Sequence, residues 1–253
     1  MTHPSRLSSL LVTALIASAC RTTSGNGAAW SYDGSTGPAH WAELDPAYAL
    51  AESGREQSPV NIVPSAVVPG SEDALEIAYA PAKLDVMNNG HTVEDDYHDG
   101  GHIVVGGQRY ELAQFHFHSP SEHAIDAHHA QMEMHLVHRD ASGNLAVLAV
   151  MIERGANHPA LAAITDHLPV DPGRASHVDG VTVDAAEFLP ESSATYRYSG
   201  SLTTPPCTEG VRWFLFQEPI EASNEQIDAF QKVYFGNNRP TQPLYDRVVV
   251  GAE

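Results

Sequence analysis

The residues with the clearest chemical potential are histidines in two short alternating segments. The first begins at Gln114, and its polar and aromatic residues alternate, so that Gln114, His116 and His118 share one face of a strand. The second, residues 132–137, alternates in the same way and carries His135. If the two strands are neighbours in one sheet, three imidazoles can reach a single metal ion. Three histidine ligands with an open fourth position are typical of a catalytic zinc, so the spacing predicts a Zn²⁺ site.

Each segment also places a hydrogen-bond acceptor two residues before a histidine, on the same face. Gln114 precedes His116, and Glu133 precedes His135. A metal-bound imidazole usually donates its other N–H to an amide or carboxylate oxygen, and both types are present here. A lone His-x-His pair on a strand is more often a surface or core pair than a pair of ligands. The third histidine, with its own carboxylate at the same offset, favours the metal site.

Charge and cysteine content exclude several classes of protein. The chain has 253 residues and a formal net charge of −19, from 32 acidic and 13 basic residues. This balance disfavours nucleic acid as a partner and provides no basic patch for an anionic membrane. The length allows one large domain with a full core. With only Cys20 and Cys207, the chain is not a disulfide scaffold.

The start of the chain has the pattern of an export signal. Arg6 provides a positive charge, residues 7–16 are apolar, and residues 17–19 are small, as at a cleavage site. The apolar run is shorter than a membrane span, which takes about 20 residues. Cys20 follows at once, so simple cleavage and lipid attachment to Cys20 at a bacterial membrane are both open. We predict a periplasmic or extracellular protein with a signal peptide at 1–19, a flexible tether at 20–29 and one domain at 30–253.

Strand patterns outnumber helical patterns along the rest of the chain. Strands are predicted at residues 75–79, 84–88, 103–105, 109–118, 132–137 and 145–151. Helical patterns are limited to residues 41–50, where Pro46 interrupts, residues 156–168, and a capping box at Ser223. This balance predicts a mostly β fold with peripheral helices (α+β), in which a large, mostly antiparallel, twisted sheet carries short helices on its outside.

Two local predictions concern polar residues near these strands. Residues 95–101 read DDYHDGG, which favours a loop. His138 lies on the strand face opposite His135, so it is predicted to be a buried structural histidine and not a ligand.

Six motifs occur in a fixed order along the chain. They are Gln57-Ser58-Pro59-Val60-Asn61-Ile62, Asn89-Gly90-His91, residues 114–118, Ser121-Glu122-His123, residues 133–138, and residues 199–207, which read SGSLTTPPC. Together they resemble the α-class carbonic anhydrases, and the similarity runs from about Trp30 to Val249. The resemblance implies a zinc lyase that hydrates carbon dioxide reversibly to bicarbonate and a proton, with hydrolysis of activated esters as a side activity.

The resemblance assigns roles at the predicted metal site. His116, His118 and His135 match the zinc ligands of the family, while Gln114 and Glu133 match the acceptors behind them. These assignments agree with the faces deduced from the alternation. Zinc in such a site lowers the pKa of bound water from 15.7 to about 7, an established property of carbonic anhydrases, so hydroxide is available at neutral pH.

Further matches lie outside the two ligand strands. Thr203 matches the threonine whose hydroxyl accepts a hydrogen bond from the catalytic hydroxide, and Glu122 matches the carboxylate to which that threonine donates. His91 matches the proton shuttle at the cavity mouth, a role suited to an imidazole with an ordinary pKa near 6.5. The apolar wall that holds carbon dioxide is matched by Val137, Val147, Leu202, Val211 and Trp213, and Thr204 lines the same cavity.

The chain departs from the family at two places. Many secreted relatives pair a cysteine ahead of the Gln-Ser-Pro motif with the one after Thr-Thr-Pro-Pro, but residues 47–56 contain no cysteine. Cys207 is therefore predicted to lack that partner. Glu94 stands where relatives usually have a neutral polar residue, and with the two aspartates that follow it is predicted to raise the pKa of His91 slightly.

Two other functions are open to a chain with these residues. A cupin-type metal oxygenase would use His116, His118 and Glu122 as ligands, but the glycines that flank that motif are replaced by Tyr110 and His129. A catalytically weak, anhydrase-like binding module has usually lost a zinc-binding histidine, and this chain keeps all three. The expected partner is therefore a small molecule, carbon dioxide or bicarbonate, and the resemblance to bacterial relatives also allows a homodimer.

Overall fold

The computed structural model describes residues 28–70, 73–97 and 100–252. The predicted signal peptide, most of the predicted tether and Cys20 lie outside these residues. Across the described ranges, no helix combines the length and the apolar character needed to cross a membrane.

Short strands and helices alternate with loops throughout the described chain. The strands are β1 (Asn61–Ile62), β2 (Val68–Pro69), β3 (Leu75–Tyr79), β4 (Ala82–Asn88), β5 (Val93–Asp96), β6 (Gly101–Val105), β7 (Gln108–His118), β8 (Ala124–Ile125), β9 (Met132–Arg139), β10 (Leu145–Arg154), β11 (Ala175–Val183), β12 (Thr195–Ser201), β13 (Glu209–Phe216), β14 (Ile220–Ala222) and β15 (Val250–Ala252). The α-helices are α1 (Trp41–Leu44), α2 (Leu50–Ser53), α3 (Pro159–Thr165) and α4 (Asn224–Val233). A 3₁₀ turn at Pro46–Tyr48 separates α1 from α2, so Pro46 interrupts the helical segment as predicted.

One large sheet dominates the described residues. It has 13 strands, and its main path runs β11-β4-β5-β7-β9-β10-β13-β12-β15-β2. Strand β6 pairs with β3 and β7, and β14 pairs with β10. Most neighbours are antiparallel; the parallel pairs within this sheet are β10 with β13, β10 with β14, and β15 with β2. The predicted mostly β architecture, with a large and mostly antiparallel sheet and few short helices, is confirmed.

The strands that carry the candidate ligands lie near the middle of this path. β7 and β9 are antiparallel, and their register places His116 directly opposite His135. On β9, Met134 and Leu136 are fully buried in the larger apolar core, whereas Val137 belongs to a second apolar cluster. Because successive side chains of a strand point to opposite faces, one face of β9 builds the core and the other builds the site.

Strand β10 is buried on both faces, as its unbroken apolar run predicts. Leu148 and Val150 belong to the larger core, while Val147 and Ala149 belong to the second cluster. The strand lies between β9 and β13 in the sheet. Apolar residues are therefore needed on each side, and no polar alternation remains.

Helices α3 and α4 cover the larger core. Leu161 of α3 and both Ile227 and Phe230 of α4 are buried in it. The start of α4 is fixed by Ser223, whose hydroxyl accepts a hydrogen bond from the backbone N–H of Gln226 at 3.3 Å. Gln226 Oε1 in turn accepts the backbone N–H of Ser223 at 3.0 Å. The predicted capping box is confirmed, and it satisfies two N–H groups that a helix start would otherwise leave unpaired.

The prediction of a loop at residues 95–101 was wrong for Asp95, Asp96 and Gly101, which lie in strands, whereas Tyr97 and Gly100 lie outside any strand or helix. β5 (Val93–Asp96) is a strand between β4 and β7, in which Glu94 is 6% exposed and Asp95 is 1% exposed. Asp95 Oδ2 accepts a hydrogen bond from the backbone N–H of Asp85 at 2.8 Å, which offsets part of the cost of burying the carboxyl group. Local polarity favoured a loop because it carries no information about the two strands that enclose this segment.

Candidate active site

Three histidine rings from the central strands converge. The ring centroids of His116 and His118 are 5.0 Å apart, those of His116 and His135 are 5.2 Å apart, and those of His118 and His135 are 4.7 Å apart. One ring nitrogen from each lies within 4.8 Å of the others. The prediction that the two strands are neighbours is confirmed. The spacing suits a single metal ion.

Hydrogen bonds determine which nitrogen of the first two rings faces the site. His116 Nδ1 lies 2.8 Å from Gln114 Oε1. His118 Nδ1 lies 2.7 Å from the backbone oxygen of Asn237, which comes from a distant part of the chain. Both oxygens can only accept, so each Nδ1 carries the proton and each Nε2 keeps a bare lone pair.

The third ring, that of His135, is held by a carboxylate through Nε2, whereas the first two rings are held through Nδ1. His135 Nε2 donates to Glu133 Oε1 at 2.7 Å, which leaves Nδ1 as the bare nitrogen. Glu133 is fully buried, and it also accepts the backbone N–H groups of Glu122 and His123 at 2.8 Å and His123 Nδ1 at 2.6 Å. Burial alone would raise the pKa of Glu133, but the two imidazoles hold that pKa well below its usual range.

His123, Glu133 and His135 form a second group whose atoms are close enough for a metal ion. The nitrogen-to-oxygen distances of 2.6 Å and 2.7 Å are those of charge-assisted hydrogen bonds. These atoms therefore satisfy one another. The three-histidine group is the one with free lone pairs.

The three-histidine group fits zinc in protonation state and in donor type. Burial lowers the pKa of His118 and lowers that of His116 well below its ordinary value, so both rings are neutral at neutral pH, the form that binds a metal. His118 Nε2 and Glu122 Oε2 are buried 3.5 Å apart, and neither atom has a hydrogen-bond partner among the described residues. Two buried acceptors that face each other are unfavourable unless a cation or a donor satisfies them.

The ligand histidines line a cavity of about 310 Å³. Strands β9, β10 and β13 contribute Val137, Val147 and Trp213 to its lining, whereas β5 and β7 contribute Glu94 and Gln114. In the order of the sheet, β5 and β13 lie on opposite sides of the strands that carry the ligands. One half of the cavity is therefore apolar and the other half polar.

The predicted apolar wall is present with one difference. Leu202 lines the cavity together with the three apolar residues of the strands, and Thr204 lies in the same lining. Val211 is absent from the lining; it is 2% exposed and packs in the same apolar cluster as Val147 and Trp213. Val211 lies two residues before Trp213 on β13 and therefore on the same strand face, where it packs with the residues of the wall.

Thr203 lies in the cavity lining, whereas Glu122 is fully buried. The segment that carries Thr203 is held by a hydrogen bond from Trp213 Nε1 to the backbone oxygen of Ser201 at 3.0 Å. Glu122 Oε1 accepts the backbone N–H of Arg239 at 2.8 Å, which fixes the carboxyl group. A hydrogen bond from Thr203 to the other oxygen of Glu122 stays a prediction.

His91 lines the cavity from a turn. Asn89 Oδ1 accepts the backbone N–H groups of His91 and Thr92 at 2.9 Å each, and the imidazole stacks on Trp30 with ring centroids 3.7 Å apart. The prediction that acidic neighbours raise the pKa of His91 was wrong, because burial lowers that pKa. Glu94 is buried as well, and burial raises its pKa to about 7, so the carboxyl carries less than a full charge near neutral pH.

Alternation along strands did not identify His123 or Tyr198, which extend the network behind His135. His123 Nε2 lies 2.6 Å from Tyr198 Oη, and Tyr198 Oη lies 2.9 Å from Ser58 Oγ. His123 and Tyr198 are both buried. His123 lies in the loop before β8, where no strand period assigns a face, and the one available signal was its place in the Ser-Glu-His motif.

His138 is buried, as predicted, and Cys207 is buried as well. His138 Nε2 lies 2.7 Å from Tyr79 Oη, and burial lowers the pKa of His138 to about 3, so the ring is a neutral structural group. Cys207 is a free thiol, and burial raises its pKa to about 11. A thiol in that state is a poor nucleophile at neutral pH.

Comparison with known proteins agrees with the observed fold. The family model of eukaryotic-type carbonic anhydrases matches residues 36–252. The carbonic anhydrase of Nostoc sp. is 43% identical over 226 residues, which cover 88% of this chain and 86% of that protein. The carbonic anhydrase of Pectobacterium atrosepticum is 41% identical over 239 residues, which cover 94% of this chain and 97% of that protein.

A solved structure shares the fold over most of the chain. It is the α-carbonic anhydrase of Thermovibrio ammonificans in complex with the inhibitor sulfanilamide, with a TM-score of 0.86 and 44% sequence identity. The match covers 88% of this chain and 99% of that one. Sequence and fold agree, and this chain belongs to the eukaryotic-type, or α-class, carbonic anhydrase family.

Proposed function

We propose that this protein hydrates carbon dioxide reversibly to bicarbonate and a proton at a zinc ion held by His116, His118 and His135. The observation that carries the proposal is the convergence of three bare imidazole nitrogens in a cavity with one apolar and one polar half. Carbon dioxide is neutral and apolar, whereas bicarbonate and the released proton are charged, so the reaction uses both halves. Membership of the family supports the same activity.

Zinc, when bound, would supply a water whose pKa is lowered to about 7, as is established for carbonic anhydrases in general. The chain contributes three neutral nitrogens in fixed orientations. Gln114 and the backbone oxygen of Asn237 keep the ring protons of two ligands on Nδ1, and Glu133 keeps that of the third on Nε2. These acceptors prevent the rings from rotating and increase the basicity of the ligand nitrogens.

Thr203 and Glu122 would orient the attacking oxygen. One oxygen of Glu122 is engaged by the backbone N–H of Arg239, and the other has no hydrogen-bond partner among the described residues. A hydroxyl has a single proton, so a Thr203 side chain that donates to Glu122 can only accept from the attacking group. That direction would leave a lone pair of the attacking oxygen free for the substrate.

The apolar half of the cavity would hold carbon dioxide next to the ligand histidines. Val137, Val147 and Trp213 are each at most 6% exposed, so they form a well-packed surface. Such a surface binds an apolar gas without offering hydrogen bonds that would favour water in its place.

His91 would carry the released proton from the cavity to solvent. Its lowered pKa means that the ring is neutral, and therefore able to accept a proton, throughout the neutral range. The stack on Trp30, with ring planes 6° apart, holds the imidazole at one position in the lining.

The alternative functions fit the site less well. A cupin-type oxygenase would need Glu122 as a ligand, but Glu122 belongs to neither described group of side chains that could hold a metal. A binding module without activity is disfavoured because the chain keeps all three candidate ligands in one cluster. Hydrolysis of activated esters is proposed as a side activity, since the same activated water can attack an acyl carbon.

Stopped-flow hydration of carbon dioxide, combined with zinc analysis, tests the proposal. The parent is expected to carry about one zinc ion per chain, and His135→Asn is expected to lose both zinc and activity, because one of three ligands is removed. His138→Asn is the matched control: it changes a buried histidine three residues along the same strand but on the other face. A parent without zinc, or with rates no faster than buffer, would contradict the proposal.

Export is proposed from the start of the chain, with attachment to a bacterial membrane through a lipid on Cys20 or release after cleavage. A mass spectrum of the mature protein distinguishes the two, because an unmodified Cys20 removes the lipid anchor. A homodimer is also proposed, by analogy with bacterial relatives, and light scattering in solution would test it.

A further inference from the structure

Glu94 lies between the turn that carries His91 and the candidate metal ligand His116. Its strand β5 pairs with β7, and the register places Glu94 directly opposite His116. The side chain lines the cavity and is nevertheless only 6% exposed. A carboxyl group in such a position needs hydrogen-bond donors around it.

Both donors that Glu94 meets are side-chain amides, and both approach the same carboxyl oxygen. Gln114 Nε2 donates to Glu94 Oε2 at 3.1 Å, and Asn89 Nδ2 lies 3.5 Å from that oxygen. Glu94 Oε1 is buried and has no hydrogen-bond partner among the described residues. Oε2 therefore connects the two amides, and Oε1 takes no part in that connection.

The contact with Glu94 decides which way the amide of Gln114 points. The oxygen and the NH₂ of an amide have nearly the same shape, so only their partners distinguish the two orientations. If Gln114 turned over, its NH₂ would face His116, and Nδ1 of that ring would have to accept a hydrogen bond. The ring proton would then move to Nε2, the nitrogen that must be bare to bind a metal.

This direction holds whether or not Glu94 is ionised. Burial raises the pKa of Glu94 to about 7, so both forms are present near neutral pH. Because Oε2 already accepts from Gln114, a proton on the carboxyl group is placed on Oε1. Oε2 thus remains an acceptor in both forms.

The amide of Asn89 connects Glu94 to the turn that carries His91, and its orientation is fixed as well. Asn89 Oδ1 accepts the backbone N–H groups of His91 and Thr92 at 2.9 Å, so its NH₂ has to face Glu94. The amides of Asn89 and Gln114 are therefore each fixed in one orientation, with Glu94 as their shared acceptor.

We propose that Glu94 is a positioning residue, whose carboxyl oxygen fixes the amide of Gln114 and thereby the metal-binding tautomer of His116. The proposal rests on the zinc site described under the proposed function. What the position requires is an acceptor oxygen, and a negative charge is not needed. Glu94→Gln should therefore preserve the role, and Glu94→Met, which has similar length and no strong acceptor, should remove it.

Zinc affinity and the tautomer of His116 are the two readouts. Competition with a chelator is expected to give a zinc dissociation constant about tenfold higher for Glu94→Met than for the parent, within the range known for residues behind metal ligands. Glu94→Gln should bind zinc within about twofold of the parent. In the zinc-free proteins, ¹⁵N NMR of the His116 ring should show one tautomer, protonated at Nδ1, in the parent and in Glu94→Gln, and a mixture in Glu94→Met.

Three results would overturn the role of Glu94. The first is a folded Glu94→Met that binds zinc as tightly as the parent, and the second is an equal loss of zinc affinity in Glu94→Met and Glu94→Gln. The third is a mixture of His116 tautomers in the zinc-free parent. The last needs no variant, so it decides the question even if Glu94→Met does not fold. A parent that binds no zinc but shows the single tautomer would refute the proposed function and leave the positioning role intact.

Discussion

Each ligand histidine is oriented by a different kind of acceptor. Gln114 provides an amide oxygen for His116, and Glu133 provides a carboxylate for His135. Both acceptors lie two residues before their histidines on the same strand, so alternation alone identifies them. His118 instead donates to the backbone oxygen of Asn237, which any residue type could supply. A backbone acceptor leaves no trace in the pattern of side chains.

Removal of the imidazole at position 91 should slow proton transfer more than substrate conversion. His91→Ala is expected to lower kcat by at least roughly tenfold while kcat/KM changes little, because the ring acts after the chemical step. Stopped-flow measurements in dilute buffer would show this, and small imidazole buffers should restore the lost rate. A loss confined to kcat/KM would place His91 in substrate binding.

The stack with Trp30 should help to keep the pKa of His91 below its ordinary value. Burial lowers the pKa of His91, so Trp30→Ala, which exposes the ring, is expected to move that pKa up towards its ordinary value of about 6.5. NMR titration of the His91 ring in the zinc-loaded protein measures the shift. Tyr32→Phe is the control, since it keeps the stacked pair and removes only a hydroxyl. An unchanged or lower midpoint in Trp30→Ala would contradict the assigned cause.

At the scale of elements, β5 shows where sequence patterns fail. Its residues are acidic, yet the strand is enclosed by β4 and β7 and places Glu94 against the ligand strand and Asp95 among buried residues. By contrast, the alternating β7 and β9 and the apolar β10 occur where their patterns predict them. Alternation and polarity identify a strand when each of its faces contacts either the apolar core or solvent. One face of β5 contacts a polar cavity instead.

The capping box of α4 should contribute measurably to stability. Ser223→Ala removes the acceptor for the backbone N–H of Gln226 and is expected to lower the free energy of unfolding by about 1 kcal/mol. Urea unfolding measures the change. Ser142→Ala, at an exposed serine, is the control and should stay within about 0.5 kcal/mol of the parent. An equal effect of the two substitutions would show that the cap is not stabilising.

At the scale of the whole molecule, the stability of the fold should depend on pH through the buried carboxyl group of Asp95. Burial raises the pKa of Asp95 from 3.8 to about 7. Between about pH 4 and pH 7, Asp95 therefore keeps its proton in the folded state, whereas the unfolded chain has released it. The contribution of Asp95 to the free energy of unfolding is therefore greatest below about pH 4, and it decreases as the pH rises towards 7.

Substitution of Asp95 should remove that pH dependence. Asp95→Asn cannot ionise, so its free energy of unfolding relative to the parent is expected to rise by about 3 kcal/mol between pH 4 and pH 8, since one pKa unit corresponds to about 1.4 kcal/mol. Urea unfolding at several pH values measures the difference. Asp179→Asn, at an exposed position, controls for the loss of a charge. A difference that does not change with pH would contradict the buried-carboxyl explanation.

The sequence by itself determined the faces of the ligand strands, the two acceptors that share them, the capping box and the interruption at Pro46. These features depend on backbone geometry over a few residues, which is the same wherever the segment lies. The motifs then indicated the family, although they did not show which contacts each motif residue makes.

Only the tertiary structure decided which groups from distant segments meet. It brought the carbonyl of Asn237 to His118, stacked Trp30 on His91, and buried the acidic strand β5 beside the site. These contacts join segments that are not neighbours in the sequence, and Trp30, His91 and Asn237 lie outside the strands. They reflect the packing of the whole fold, and no local pattern of residues encodes them.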